Sequence, residues 1–101
     1  MTQLATTTTG NELQTIELTD GTTVRLNENS TLSYPTEFDG AVRRVQLTGE
    51  AFFAVTKNPA QPFVVETGAT TVRVLGTSFS VRALPNEELT EVVVQTGKVA
   101  V

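Results

Sequence analysis

Apolar residues recur at every second position in short stretches along most of this chain. Gln14 to Leu18 alternates polar and apolar residues, and Thr23 to Leu26 follows after an Asp-Gly pair. Alternation with a period of two is typical of a half-buried β-strand, and Asp-Gly between two such runs favours a tight hairpin turn. No window shows the i, i+3, i+4, i+7 spacing that an amphipathic helix needs over three turns. The pattern therefore predicts an all-β chain.

About ten short strands are predicted, separated by turn residues at intervals of roughly ten positions. They cover residues 14–18, 23–26, 31–34, 44–47, 51–55, 63–67, 71–75, 77–82, 90–95 and 98–101. Pro35 is expected to end the third strand, and the run 57–62, with two prolines, to form a surface loop. Residues 84–88 are expected to form a loop tip. Gly76 interrupts a strand pattern and is expected to mark a bulge or corner.

Glycine turns divide the chain into similar units, each with a β-branched run before the glycine and a second strand after it. The turns lie at Gly21, Gly49, Gly68 and Gly97, and the segment 44–55 is interpreted as two strands folded about Thr48-Gly49. Successive turn glycines are 28, 19 and 29 residues apart, so no strict repeat holds. We predict an irregular twisted β-solenoid-like roll. A two-sheet β-sandwich built from the same hairpins is the alternative.

The length of 101 residues predicts one domain with a modest core. Thr (19) and Val (14) supply about a third of the chain, and both favour strands. The polar segment before Leu13 predicts a disordered or artificial lead-in over residues 1–12, with the β domain over 13–101.

Charge argues against two classes of partner. Eleven acidic and seven basic residues give a net charge of −4, and Arg43-Arg44 is the only adjacent basic pair. Nucleic acids and anionic membrane surfaces attract clustered positive charge, so we expect neither nucleic-acid binding nor direct membrane contact. No apolar run approaches the length of about 18 to 20 residues that crosses a bilayer.

The chain contains neither histidine nor cysteine. The commonest general base and the commonest soft metal ligands are therefore missing, and we expect no metal site, no cofactor and no catalysis. Serine hydroxyls have no base that could activate them.

The remaining polar and aromatic candidates favour structural roles. Asp20 and Asp39 lie in predicted turns, where aspartate caps the backbone. Glu50 is either a buried functional acid or, more in keeping with its position after a turn, a backbone-capping or arginine-paired acid. The pair Glu87-Glu88 is expected to be solvated. Tyr34 and Phe38 are candidates for a sugar or peptide platform, although core packing is the stronger interpretation.

Several ordered motifs resemble the FecR protein domain family. The similarity extends from about Leu13 to Val101, and the motifs in chain order are residues 18–35, 44–55, 62–65, 74–81 and 97–101. Ser80 departs from the family, which often has Asn there. The resemblance assigns as fold signatures Asp20, Gly21, Gly49, Glu50, Phe53, Pro62, Phe63, Gly68, Gly76, Thr77, Phe79 and Gly97.

The resemblance implies a non-catalytic periplasmic signalling module of an anti-sigma factor regulator anchored in the inner membrane. Such a module relays a signal from the signalling domain of a TonB-dependent outer-membrane transporter to an extracytoplasmic-function sigma factor. The implied partners are that signalling domain and the parent's own following subdomain, which could pair with the open strand edge at Val99 to Val101. A carbohydrate-binding or adhesive module of a secreted protein is the alternative function, although the chain has no Trp and a single Tyr.

Overall fold

The computed structural model describes residues 4–38, 40–68, 70–83, 91–96 and 99–100. Ten β-strands and no helix occur in these ranges. The strands are β1 Leu4–Thr8, β2 Gln14–Glu17, β3 Thr23–Leu26, β4 Thr31–Pro35, β5 Arg43–Ala54, β6 Phe63–Glu66, β7 Thr71–Val74, β8 Ser78–Ala83, β9 Glu91–Thr96 and β10 Val99–Ala100.

The strands join into one curled sheet whose two halves share β5. Sheet A has the order β1-β4-β5-β6-β7-β10, and sheet B has the order β2-β3-β5-β8-β9. Residues 43–48 of β5 pair with β4 and β6, whereas residues 49–54 pair with β3 and β8. The β5–β6 pairing is parallel and the other pairings are antiparallel. A single strand thus passes from one half of the sheet to the other.

Strand β5 bends sharply, and Gly49 at its middle has the unusual backbone conformation that the bend uses. A straight strand would place Thr56, two residues beyond β5, about 40 Å from Arg43, whereas the Arg43 side chain contacts the Thr56 carbonyl (2.7 Å). Gly49 has φ +108°, a region that residues with a Cβ rarely adopt. Despite the bend, inward and outward side chains alternate without a break from Arg43 to Ala54.

The turn between β3 and β4 lies against the bend. Asn27 donates its backbone N–H to the Glu50 carbonyl (2.9 Å), and the Glu50 N–H donates to Ser30 Oγ (3.0 Å). Asn27 Nδ2 also donates to Glu50 Oε1 (2.9 Å). A Cβ on Gly49 would overlap the Ser30 side chain. The turn therefore satisfies the backbone of β5 where the strand changes direction, and it fits there only because residue 49 has no side chain.

The inward faces of both sheets enclose one hydrophobic core. Phe53 of sheet B contacts Phe63 of sheet A edge-on (5.9 Å between ring centroids) and stacks on Phe79 (5.2 Å). All three rings are fully buried. The aliphatic members of the core are Ile16, Leu18, Val24, Leu26, Leu32, Val45, Leu47, Ala51, Val55, Val65, Val72, Val74 and Val81.

The all-β prediction is confirmed, and the arrangement combines features of both predicted architectures. Two halves face each other across a core as in a sandwich, but they are hydrogen-bonded into one curled sheet as in a roll. The hairpins about Gly21 (β2–β3) and Gly68 (β6–β7) are present as predicted.

The hairpin predicted about Thr48-Gly49 is wrong, because residues 43–54 form one continuous strand. The physical reason is which side chains lie on the core face of the strand, since this set depends on whether residues 48 and 49 form a turn. A two-residue turn at 48–49 would place Glu50 and Phe52 on the same face as Leu47, whereas a continuous strand places Ala51 and Phe53 there. The continuous strand buries the more apolar set.

The predicted closing hairpin is also wrong. β9 pairs with β8 in sheet B and β10 pairs with β7 in sheet A, so the last two strands extend different halves of the sheet. Each strand adds to an edge that would otherwise leave backbone groups unpaired. Gly97, the predicted turn residue between them, lies outside the described residues, as do the loop tip 84–88 and Asp39.

The prediction of a lead-in over residues 1–12 differs from the structure at residues 4–8. These residues form β1, which pairs with β4 over five positions in regular register. Thr9 continues the attachment by donating its N–H to the Ser30 carbonyl (2.9 Å). An edge strand needs only one half-buried face, so a threonine-rich segment can fill this position without an apolar pattern.

Replacing Gly49 with alanine is expected to lower the free energy of unfolding by about 2 to 4 kcal/mol, because the new Cβ meets Ser30 and the positive φ becomes strained. Urea unfolding followed by circular dichroism measures the loss. Gly68→Ala is the matched control, since nothing lies within 4 Å of its position and its φ is not positive. We expect that control to change stability by no more than about 1 kcal/mol. Equal losses in the two variants would contradict the assigned role of Gly49.

Candidate functional site

The most concentrated polar site in the described residues surrounds Arg43, the first residue of β5. Its position in the alternation of β5 directs its side chain inward, and that side chain is fully buried. A buried guanidinium is costly unless its charge is paired and its N–H groups are hydrogen-bonded. The structure meets both requirements.

All five N–H donors of the guanidinium have an acceptor, which matches the full donor capacity of arginine. Nε donates to the Gln61 carbonyl (2.6 Å), and Nη1 donates to Asp20 Oδ2 (2.8 Å) and to the Thr56 carbonyl (2.7 Å). Nη2 makes two longer contacts, to the carbonyls of Asn58 (3.5 Å) and Leu75 (3.4 Å). Lysine, with three donors on one atom, could not reproduce this planar arrangement.

Asp20 ties the turn between β2 and β3 to the same site. Its Oδ1 accepts from the Thr22 N–H (2.9 Å) and its Oδ2 accepts from Thr22 Oγ1 (2.7 Å) as well as from Arg43. Thr22 Oγ1 in turn accepts from the Thr56 N–H (3.2 Å). The aspartate caps its own turn, as predicted, and also neutralises the buried arginine.

The loops that follow β5 and β7 run side by side beneath the guanidinium. Asn58 donates its N–H to the Leu75 carbonyl (2.9 Å), and Val55 donates to the Thr77 carbonyl (3.0 Å). A Cβ on Gly76 would overlap the backbone of Lys57. Glycine at this corner therefore permits the close approach of the two loops, whose carbonyls Arg43 then binds.

The polar groups of this site bind one another, which is typical of a site with a structural role. Its carbonyls, carboxylate and guanidinium are directed at one another, and the Phe63 ring lies against the guanidinium (5.5 Å from Cζ to the ring centroid). No cluster of three or more potential metal-ligating side chains occurs within the described ranges. We define this set, Asp20, Thr22, Arg43, Thr56 and Gln61, as the Arg43 cluster.

The other predicted signature residues that the structure describes lie in four places. Phe53, Phe63 and Phe79 are in the core, and Pro62 is buried beside Phe63 with its carbonyl accepting the Arg43 N–H (2.7 Å). Gly49 and Glu50 form the bend, whereas Gly21, Gly76 and Thr77 adjoin the loops around the Arg43 cluster. Gly68 lies in the β6–β7 turn with open space around it.

The aromatic platform candidates pack inward. Tyr34 and Phe38 are half-buried against the core, and Phe38 contacts Phe63 edge-on (6.0 Å). Gln61 Nε2 donates to the carbonyls of Phe38 (3.0 Å) and Gly40 (2.9 Å), which secures the loop that carries the ring. Core packing is thus the role that the structure assigns to both aromatic residues.

Arg43 itself was not among the predicted residues, because two adjacent arginines are typical of a charged surface. The alternation of inward and outward positions could have identified it. In one continuous strand, Arg43 lies on the same face as the apolar residues Val45, Leu47, Ala51 and Phe53. Arg44 has the opposite parity and is exposed, with its Nε 3.2 Å from Glu66 Oε1.

The outer face of sheet B carries a shallow depression of about 130 Å³. Arg25, half-buried Phe52 and Ser80 lie side by side across β3, β5 and β8, and Leu13 and Glu50 also line the depression. The described part of the chain contains no helix that could span a bilayer.

Comparison with protein families gives one match that covers nearly the whole chain. The family model described as FecR protein matches residues 5–100. A comparison with curated proteins found no match.

Two crystal structures of a candidate anti-sigma factor from Parabacteroides distasonis are similar to this chain. The structure at 2.50 Å resolution superposes with a TM-score of 0.93 at 43% identity, covering 96% of this chain and 46% of the other. The structure at 1.65 Å superposes with a TM-score of 0.91 at 43% identity, covering 94% and 45%. This chain therefore spans about half the length of the solved protein that it matches.

Replacing Arg43 with methionine is expected to lower the free energy of unfolding by about 3 to 5 kcal/mol, since Asp20 and several carbonyls lose their buried partner. Urea denaturation measures the loss. Should the variant not fold, Asp20→Asn keeps the shape and is expected to destabilise by about 1 to 3 kcal/mol.

Arg44→Met is the matched control for Arg43→Met. It removes the same group from the neighbouring position and breaks only an exposed ion pair, for which we expect a loss below about 1 kcal/mol. Comparable losses at the two positions would contradict the cluster's structural role.

Proposed function

Because this chain belongs to the FecR protein family, we propose that it is the non-catalytic periplasmic signalling module of an anti-sigma factor regulator. In this role it works by protein contact. It relays a signal from the signalling domain of a TonB-dependent outer-membrane transporter towards an extracytoplasmic-function sigma factor. The parent protein is anchored in the inner membrane, and this module lies on its periplasmic side.

The observation that carries the proposal is the family match over residues 5–100. It is supported by 43% identity to the candidate anti-sigma factor over 96% of this chain. Such similarity over the full set of strands extends beyond fold alone. The solved protein is about twice as long as this chain. The proposal therefore concerns only the part of the regulator that matches this chain.

The internal use of polar groups supports a role in contact and shape. Buried Arg43 donates to the Asp20 carboxylate and to backbone carbonyls, and Glu50 accepts from Asn27 at the bend. These groups are occupied in holding loops and strands in position. A module fixed in this way can present a constant surface to a protein partner.

The distribution of aromatic residues disfavours the carbohydrate-binding alternative. Sugar platforms need exposed aromatic faces, and the chain has five phenylalanines, one tyrosine and no tryptophan. All six rings lie in the described residues, and each is buried or half-buried. No observation favours the adhesive role.

The proposal predicts that the periplasmic region of the parent regulator binds a transporter signalling domain only when this module is present. We would immobilise the signalling domains of TonB-dependent transporters from the same genome and test the whole region, with and without residues 1–101. We expect retention of the whole region and at least a tenfold weaker interaction after the deletion, since part of the contact surface is then removed.

Two controls make the result decisive. The Arg44→Met variant of the whole region should bind normally, and the truncated region must remain folded by circular dichroism. Equal binding by the folded truncated region would reduce this module to a scaffold. Failure of the whole region to bind any signalling domain would contradict the relay.

A further inference from the structure

Strand β1 has one edge bonded to β4 and one edge with no strand beside it among the described residues. The Thr9 N–H donates to the Ser30 carbonyl, and this pair continues the β1–β4 register. In an antiparallel ladder every second residue turns its N–H and C=O towards the partner. Ala5 and Thr7 therefore bond β4, whereas Leu4, Thr6 and Thr8 turn their backbone groups to the free edge.

This edge lacks the features that usually protect a strand from pairing. Between Leu4 and Thr9 there is no charged residue, no proline and no bulge, and the register with β4 is regular over five positions. The other edge strands differ: β2 ends on Glu17, β9 begins with Glu91, and β10 has only two residues. Lysine, proline and inward charges are the common means of blunting an edge, and β1 has none of them.

The free groups of β1 are self-complementary. If two copies meet antiparallel with the two-fold axis at Thr6, Thr6 faces Thr6 and Leu4 faces Thr8 of the other copy. All three residues have the outward backbone groups, so the Thr6–Thr6 pair and both Leu4–Thr8 pairs are hydrogen-bonded pairs. Exposed Leu4 (69%) would be covered by threonine methyl groups of the partner copy. Strand β1 contains no charged residue, so the net charge of −4 places no like charges opposite each other in the β1–β1 pairing.

From these observations we propose that β1 is a docking edge for a second copy of this chain, which joins sheet A of two molecules into one continuous sheet through an antiparallel β1–β1 pairing. The proposal is independent of the transporter relay, since it concerns contact between identical copies. Five residues a side bury much less than the roughly 1,200 Å² of a stable interface. The association is therefore weak and reversible.

Sedimentation velocity of the full chain over about 10 µM to about 1 mM, the range of weak association, tests the proposal. We expect the average sedimentation coefficient of the unmodified chain to rise with concentration towards that of a dimer. Thr6→Pro removes an outward N–H while it leaves the backbone hydrogen bonds between β1 and β4 in place, so it should remain monomeric. Its one cost to the β1–β4 pairing is the exposed side-chain bond between Thr6 Oγ1 and Ser33 Oγ (3.1 Å).

Thr15→Pro is the matched control. Leu18 donates to the Thr22 carbonyl, and this pair continues the β2–β3 register, so Thr15 turns its N–H to the free edge of β2. This variant should associate like the unmodified chain. Monomeric behaviour of the unmodified chain throughout, or identical behaviour of the two proline variants, would overturn the proposal.

A charge-pairing experiment tests the register without proline. Because Thr6 faces its own copy, Thr6→Lys and Thr6→Glu should each be monomeric, while their equimolar mixture should associate at least as strongly as the unmodified chain. A mixture that associates no better than the separate variants would exclude the two-fold axis at Thr6.

Discussion

The fold depends on the curvature of β5, whose two ends are brought together and fastened by Arg43. Thirteen residue steps separate Arg43 from Thr56, a distance of about 40 Å in a straight strand. In the folded chain the Arg43 guanidinium lies 2.7 Å from the Thr56 carbonyl. Gly49 permits the bend, and Asn27 and Ser30 satisfy its backbone. Both halves of the sheet pair with this strand, so its shape places every other strand around the core.

The Arg43 cluster explains why a small β-protein keeps a charge in its interior. A methionine of similar length could fill the space, but it could not bind carbonyls from two loops and a carboxylate from a third. Those loops connect strands of both sheets, and Asp20 links the β2–β3 turn to them. The ion pair therefore defines how loops meet, in addition to any stability it contributes. For the contact-based role proposed above, constancy of shape matters more than a reactive group.

Local sequence signals predicted local structure well. Asp20-Gly21 and the turn at Gly68 each join strands that are neighbours in sequence and in the sheet, so turn chemistry and alternation were sufficient. The Thr48-Gly49 pair resembled those turns, but positive φ at glycine serves a bend as readily as a hairpin. Only the parity of Ala51 and Phe53 distinguishes the two cases. The family resemblance correctly identified the chain as FecR.

Long-range placement could not be predicted from the same signals. β1 joins β4 across more than twenty residues, and β9 and β10 add to separate sheets, which no local pattern encodes. Arg43 binds five acceptors that are distant in sequence, so its role emerges only when β5 is curled.

Native-state hydrogen exchange, resolved by residue at increasing denaturant, tests the central role of β5 most directly. If β5 makes the two sheets one unit, core amides of β3 and β8 will open with the same free energy as those of β4 and β6. Separate opening of sheet A and sheet B would contradict the account.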